Sequence, residues 1–153
     1  MGKHIVATNR KARHRYHIIE TYEAGLEMLG TEVKALREGK LTLAEGYARF
    51  REGELYLVGI HIGAYSHAGL AGHDPLRERK LLLHRRELGK LRKATEIKGQ
   101  TLVPLSLYFQ GGWAKVELAV GKGKQLHDKR RDLADREAKR QLDRAMKTHR
   151  QER

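Results

Sequence analysis

The sequence predicts a mainly β fold, a small antiparallel barrel with short peripheral helices, followed by a basic C-terminal tail. Three observations lead there. Short blocks of alternating apolar and polar residues recur between glycine-containing turns. Helical spacing within the body is confined to brief segments, and residues 121–153 are charged, nearly without large apolar side chains and rich in helix formers. Strands that each keep one wet face, with short helices between them, close most simply into a barrel.

Residues 1–14 carry Lys3, Arg10, Lys11 and Arg13 with little periodicity, and read as a basic arm that is mobile until bound. Over residues 16–29 the β-branched and aromatic Ile18, Ile19, Thr21 and Tyr22 favour a strand, with Gly25 a bulge or bend and Gly30 a break. The segment TEVKALREG then describes a short helix. Thr31 can cap its first turn, Val33 and Leu36 share a face, and Gly39 can take the left-handed stop. Residues 47–50 and 54–62 alternate around Glu52-Gly53 as a hairpin does. A Gly- and His-rich surface loop, 63–75, ends at Asp74-Pro75. Beyond it the spacing predicts a strand near 81–83 and a helix over 85–97, with a continuous helix from Pro75 as the rival assignment. TLVPLSLYF and WAKVELAV flank Gln110-Gly111-Gly112 as a final hairpin in which Pro104 requires an edge or a bulge. No internal repeat is visible, so the domains are a body of 1–120 and a tail of 121–153.

Charge narrows the partner. The chain of 153 residues has a formal net charge of +13. The tail alone holds twelve Lys and Arg against six Asp and Glu. A basic body joined to a basic tail points to a polyanion, because neutralising phosphates releases their counterions whatever the sequence. The absence of cysteine excludes disulfides, thiolate metal sites and cysteine nucleophiles. No apolar run has signal-peptide or membrane-span length, so the expected location is cytoplasmic, away from membranes.

Nine histidines raise an acid–base ribonuclease or a metal site. His14 and His17 are three apart but at an arm–strand junction, where they diverge, and His67 and His73 would need a carboxylate such as Asp74 to hold a metal. Histidines near phosphate are the simpler reading, with His84 a helix cap or donor. Gly121-Lys122-Gly123-Lys124 lacks the spacing and the Ser/Thr of a phosphate-binding loop and reads as a basic hinge. No metal, cofactor or catalytic residue is therefore expected.

The tail carries a thin stripe of Leu126, Leu133, Leu142 and interspersed alanines, with Asp132/Arg136, Asp135/Lys139 and Asp143/Lys147 as i,i+4 pairs. Each pair is worth only about 0.2–0.5 kcal/mol. The segment is thus a solvated single helix or, as favoured here, one largely disordered until it becomes helical in a polyanionic groove, with Lys129, Arg130, Arg131, Lys139 and Arg140 on phosphates. On the body, Tyr16, Tyr22, Tyr47, Tyr65, Tyr108 and Trp113 interleave with Arg13, Lys34, Lys80 and Lys115. Most of these aromatics belong in the core, and any left outside can stack on a base. Glu32, acidic beside a basic helix, is either a helix N-terminal charge or a carboxylate that accepts from a base.

Several blocks together resemble the SsrA-binding protein family, small protein B of bacterial trans-translation. They are NRKARHRY at 9–16, ETYEAGLEMLGTEVKALREG at 20–39, RKLLLHRREL at 79–88, KGQTLVPLSLYF at 98–109, KVEL at 115–118 and GKGKQLHDKRRD at 121–132. The resemblance implies an oligonucleotide-binding (OB) type barrel that grips the tRNA-like part of transfer-messenger RNA, one protein per RNA, and accompanies it into a stalled ribosome. Carried over to matching positions, it implies RNA contacts at Glu32 and Lys34, and at Asn9, Arg10, Lys11, Arg13, Lys115 and Lys122. His127, Asp128, Lys129 and Arg130 match the ribosome-side motif, so that with Arg131, Lys139 and Arg140 the tail would lie in the decoding region and the empty messenger path. Relatives often read alanine before the first glycine of the pair around Lys122, and the 63–72 loop matches no family pattern. A general ribosome-associated RNA-binding barrel and a His-dependent ribonuclease remain the alternatives.

Overall fold

A computed structural model describes residues 2–69, 72–124 and 126–151, with side chains described outside 126–132 and 146–151. The chain divides into two compact units, Met1–Gly123 and Lys124–Arg153. The first contains β1 (His4–Thr8), α1 (Arg10–Arg15), β2 (Tyr16–Leu26), α2 (Gly30–Arg37), β3 (Leu41–Thr42), β4 (Tyr47–Arg51), β5 (Glu54–Val58), β6 (His61–Ile62), β7 (Arg79–Leu82), α3 (Arg85–Glu96), β8 (Gln100–Gln110) and β9 (Trp113–Gly123). The second is one helix, α4 (Leu126–Gln151).

The strands close on themselves. β8 pairs with β4, then β4 with β5, β5 with β7, β7 with β2 and β2 with β9, and β9 pairs back to β8, all antiparallel. Closure pairs both edges of every barrel strand except where β1, outside the ring, forms an edge on β8. This is the predicted OB-type barrel. On one edge of β8, Leu102 pairs with β4 while residues 106–109 pair with β1, and the register of β8 against β9 slips between Pro104 and Ser106. Proline has no N–H to offer a ladder, so the bulge falls where the strand changes partner. Gly111 and Gly112 both have positive φ, which a two-residue hairpin loop requires.

Three local expectations are corrected. The hairpin of β4 and β5 stops at Val58, because Gly59 takes φ +78° and a Cβ there would lie 2.8 Å from the Glu45 carbonyl oxygen. Ile60 and Ile62 then enter the core, and β6 pairs with β3. Gly25 sits in regular pairing with Leu82 and Lys115, while the irregularity of β2 lies between Ile18 and Glu20. Residues 1–14 are no loose arm. Asn9 is buried; its Oδ1 accepts from the Ala12 N–H at 3.2 Å, and its Nδ2 donates to the carbonyls of Pro104 at 2.9 Å and Leu43 at 3.3 Å. That side chain caps α1 and holds it to the barrel. Ala12 packs with Val103, Leu105 and Ala119 in a second small core, which is why β8 has no wet face over 102–109.

The main core is joined by Ala35 and Leu36 of α2, and beside them lies a buried ion pair. Glu32 and Arg79 are both fully buried. Arg79 Nε and Nη2 lie 2.6 and 2.5 Å from Glu32 Oε2, and Arg77 Nη2 donates to Oε1 at 2.6 Å. Oε1 also accepts from the Leu29 N–H at 2.8 Å, so Glu32 caps its own helix. Thr31, the expected cap, instead shares its hydroxyl with His73 Nδ1 at 3.0 Å. Burial raises the Glu32 pKa, but the Arg77 and Leu29 hydrogen bonds and the Arg79 charge outweigh it and hold the carboxyl below its ordinary value.

The tail is a continuous 26-residue helix, α4, the helical one of the two states its sequence allows. It contains no glycine or proline, and Arg140 lies 4.0 Å from Glu137 one turn before it. Leu133 and Leu142 of the thin stripe are about half exposed.

Two predictions follow from the Glu32 network. Arg79→Met, which removes the buried partner of Glu32 and leaves it Arg77 and the Leu29 N–H, lowers unfolding free energy by about 3 kcal/mol in a urea titration, and Glu32→Leu in the same chain restores much of the loss. Because the folded pKa of Glu32 lies below the unfolded value, its stabilisation is present above about pH 4.3 and is lost as pH falls through the folded value. Glu32→Gln therefore flattens the acid limb of a stability-against-pH profile.

Candidate nucleic-acid interface

The basic residues of the body collect in a few places that the barrel decides. Arg10, Lys11 and Arg13 are exposed on α1, whose buried Ala12 fixes which way the helix faces. α1 runs directly into β2, where His17 is the register partner of Lys122 on β9. Paired positions in an antiparallel ladder put their side chains on the same face. Residues more than a hundred apart in sequence thus form one basic end, in which Lys122 is exposed.

α2 presents a second group. Lys34 is exposed, its ammonium 5.3 Å from the centre of the Tyr65 ring. Arg37 lies one turn on, its guanidinium 5.4 Å from the Phe109 ring. Arg37 was not anticipated, although a cation three residues after Lys34 on a helix shares its face. Glu32, expected to touch RNA, has both oxygens committed inside the fold and no exposed surface. Of its two readings, the helix N-terminal charge describes the geometry. Asn9 is corrected in the same way, since its side chain is spent on α1 and two barrel carbonyls.

Lys115 is partly exposed and donates to Glu23 at 2.8 Å. The other Glu23 oxygen accepts a short hydrogen bond from Tyr108, and Lys3 lies 4.6 Å above the Tyr108 ring. The hydrogen bonds from Lys115 and Tyr108 hold the Glu23 carboxyl below its usual range. Burial, with the bond to Glu23, pushes the Tyr108 phenol up. Lys115 is therefore a half-neutralised cation, less available to a phosphate than Lys122.

A further charged surface escaped the sequence reading. Leu91 anchors α3 in the core, while Arg85, Arg86, Lys90, Arg92 and Lys93 of that helix, and Lys98 just after it, are exposed. Its signal in the sequence is a basic run around one buried leucine. His84 occupies the N-cap of α3 without a side-chain capping bond. His73 is held by Thr31 and by the Ile62 carbonyl at 3.0 Å, and His67 meets Tyr65 edge-on. Among the described residues, no three His, Asp or Glu side chains gather as a metal site would need.

In the second unit Lys139 and Arg140 are exposed on α4. His127, Asp128, Lys129, Arg130 and Arg131 belong to the same helix, but their side chains lie outside the described residues. No described helix is long and apolar enough to cross a membrane.

The family described as SmpB protein matches residues 6–148. An SsrA-binding protein of Nostoc punctiforme is 53% identical over 97% of this chain and 96% of its own length. One of Thermobifida fusca is 52% identical over 97% of this chain and 93% of its own. A chain in the solved structure "tmRNA-SmpB: a journey to the center of the bacterial ribosome" is 51% identical, with a TM-score of 0.67 over 78% of this chain and 85% of that one. Conserved identity of this extent, spanning both the barrel and the basic helix, places the chain in the SmpB (SsrA-binding) protein family.

Proposed function

We propose that this protein is a cytoplasmic RNA-binding adaptor of trans-translation. Its barrel binds the tRNA-like domain of transfer-messenger RNA, and its C-terminal helix engages the ribosome at the decoding centre and the empty messenger channel. The observation that carries this reading is the division of the chain into a closed barrel with grouped, exposed cations and a separate basic helix of 26 residues. Membership of the SmpB family, and a structural relative whose description joins tmRNA, SmpB and the ribosome, support it.

The mechanism is positional. Arg10, Lys11, Arg13 and Lys122 at one end of the barrel, with Lys34 and Arg37 on α2 and Lys115 in a lesser part, meet phosphates and set the orientation of the RNA. Asn9 and Glu32 act from inside, one fixing α1 and the other fixing the start of α2. His127, Asp128, Lys129, Arg130, Arg131, Lys139 and Arg140 are the ribosome-facing set on α4. A helix with only a thin apolar stripe gains little by docking on protein, whereas a polyanionic channel rewards its charge. The protein makes and breaks no bond.

Truncation after Gly123, which keeps β9 whole, leaves binding of the tRNA-like domain within a few-fold of the full chain and abolishes rescue of ribosomes stalled on messenger lacking a stop codon. Equal loss of both activities refutes the two-part reading. A full chain that binds the tRNA-like domain and an ordinary tRNA equally at matched salt favours a general ribosome-associated RNA binder instead. Lys122→Ala weakens binding to every RNA alike and lowers the slope of log affinity against log salt by about 0.7–0.9, the share of one phosphate contact.

A further inference from the structure

Across the outer face of β4, β5 and β7 the cations are paired rather than open. Arg49 and Arg51 stand two apart on β4 and so share a face, and β5 lies between that strand and β7. Glu78, just before β7, receives both. Arg49 Nη2 donates a short hydrogen bond to its Oε1, and Arg51 Nη1 donates to its Oε2 at 2.6 Å. The Arg51 guanidinium also lies 4.3 Å from the centre of the Tyr56 ring on the intervening strand. Beside them Lys80 Nζ is 3.5 Å from Glu54 Oε2. The two arginine side chains are about half exposed, so this network faces water and not the core.

The cations assigned to RNA above differ. Arg10, Lys11, Lys34 and Lys122 make no ion pair with the described residues. Ion pairs at a surface add little to stability, so a carboxylate that engages two arginines there has its larger effect on what else those arginines can hold. Two guanidiniums converging on the two oxygens of one carboxylate form a seat that the oxygens of a phosphate fit equally well. Glu78 fills that seat from within the chain. Without it, Arg49, Arg51 and Lys80 would face water against Glu54 alone, a second basic surface open to any nucleic-acid backbone.

We propose that Glu78 is a specificity-determining residue: it withholds Arg49 and Arg51 from phosphates, so that RNA is left to bind through the open cations of α1, α2 and β9. The inference rests on the RNA-binding reading above and adds to it a group that acts by weakening the wrong docking mode. Preference is a difference between affinities, and lowering the competing one raises it as surely as a new contact does.

The full chain and its variants are titrated with the tRNA-like domain, an ordinary tRNA and inorganic polyphosphate over a range of salt. Glu78→Gln, which keeps the shape and removes the charge, tightens binding of ordinary tRNA and polyphosphate by about 2- to 30-fold at low salt, the worth of one or two exposed charge pairs. It steepens the slope of log affinity against log salt by about 0.7–1.8, one or two added phosphates, and narrows the preference for the tRNA-like domain. Glu96→Gln, which removes an exposed carboxylate of α3 and alters net charge equally, has a much smaller effect. Adding Arg49→Gln and Arg51→Gln to Glu78→Gln returns all three ligands to parental affinity. The same two changes in the parent leave its binding of the tRNA-like domain unaltered, because those guanidiniums are already engaged. The inference is overturned if Glu78→Gln binds no more tightly than Glu96→Gln, or if losing Arg49 and Arg51 weakens the parent's hold on the tRNA-like domain, which would make them contacts. A parent whose preference for the tRNA-like domain survives Glu78→Gln undiminished refutes this inference alone. A parent with no such preference refutes the proposed function instead.

Discussion

The fold turns on one carboxylate taken out of water. Glu32 is fully buried, yet three groups meet it: the guanidiniums of Arg79 and Arg77 and the Leu29 N–H. Arg79 reaches on to the carbonyls of Pro75 at 3.2 Å and of Ile60 and Asp74 at 3.4 Å. One ion pair therefore ties the start of α2, the end of the 63–75 loop and the first residue of β7 to the barrel. A buried ion pair contributes little net stability compared with apolar residues of the same shape, and its usual effect is to make alternative arrangements costly. Here it sets the position of α2, on which Lys34 and Arg37 stand.

The second constraint is the bulge at Pro104. By shifting β8 where its partner changes from β4 to β1, it brings the Pro104 and Leu105 carbonyls to Asn9, which accepts the role of cap and anchor together. Charged residues of α1 then project outward because Ala12 projects inward. The proposed interface is thus an arrangement of cations supported by two buried polar side chains, neither of which has surface left for RNA. Residues that look like contacts by type can be the supports of contacts, and burial is what separates the two roles.

Much of the architecture was legible. The strands around Glu52-Gly53 and around Gly111-Gly112 and the helices beginning at Gly30 and Arg85 follow from patterns spanning ten residues or fewer, whereas Gly121, Lys122 and Gly123, expected as a hinge, continue β9. What misled was the arm. Residues 4–15 have no periodicity of their own, because β1 borrows its order from the edge of β8 and α1 is too short to stand without Asn9 and the small core beneath Ala12. The surface cations of α3 went unassigned for the opposite reason: a pattern adequate to name a helix says nothing about which polyanion its outer face will meet.

By itself, the sequence determined the charge, the class of partner and the strand-forming segments, since each depends on composition or on neighbours along the chain. Only the tertiary structure decided which charged and polar residues remain available. Glu32 and Asn9 went inside, Lys115 was half-neutralised by Glu23, Lys122 was set beside His17, and Trp113 was left in the open. Those outcomes depend on pairings between residues 34 to more than 100 positions apart, and a carboxylate's exposure is a property of what closes over it rather than of the residues on either side.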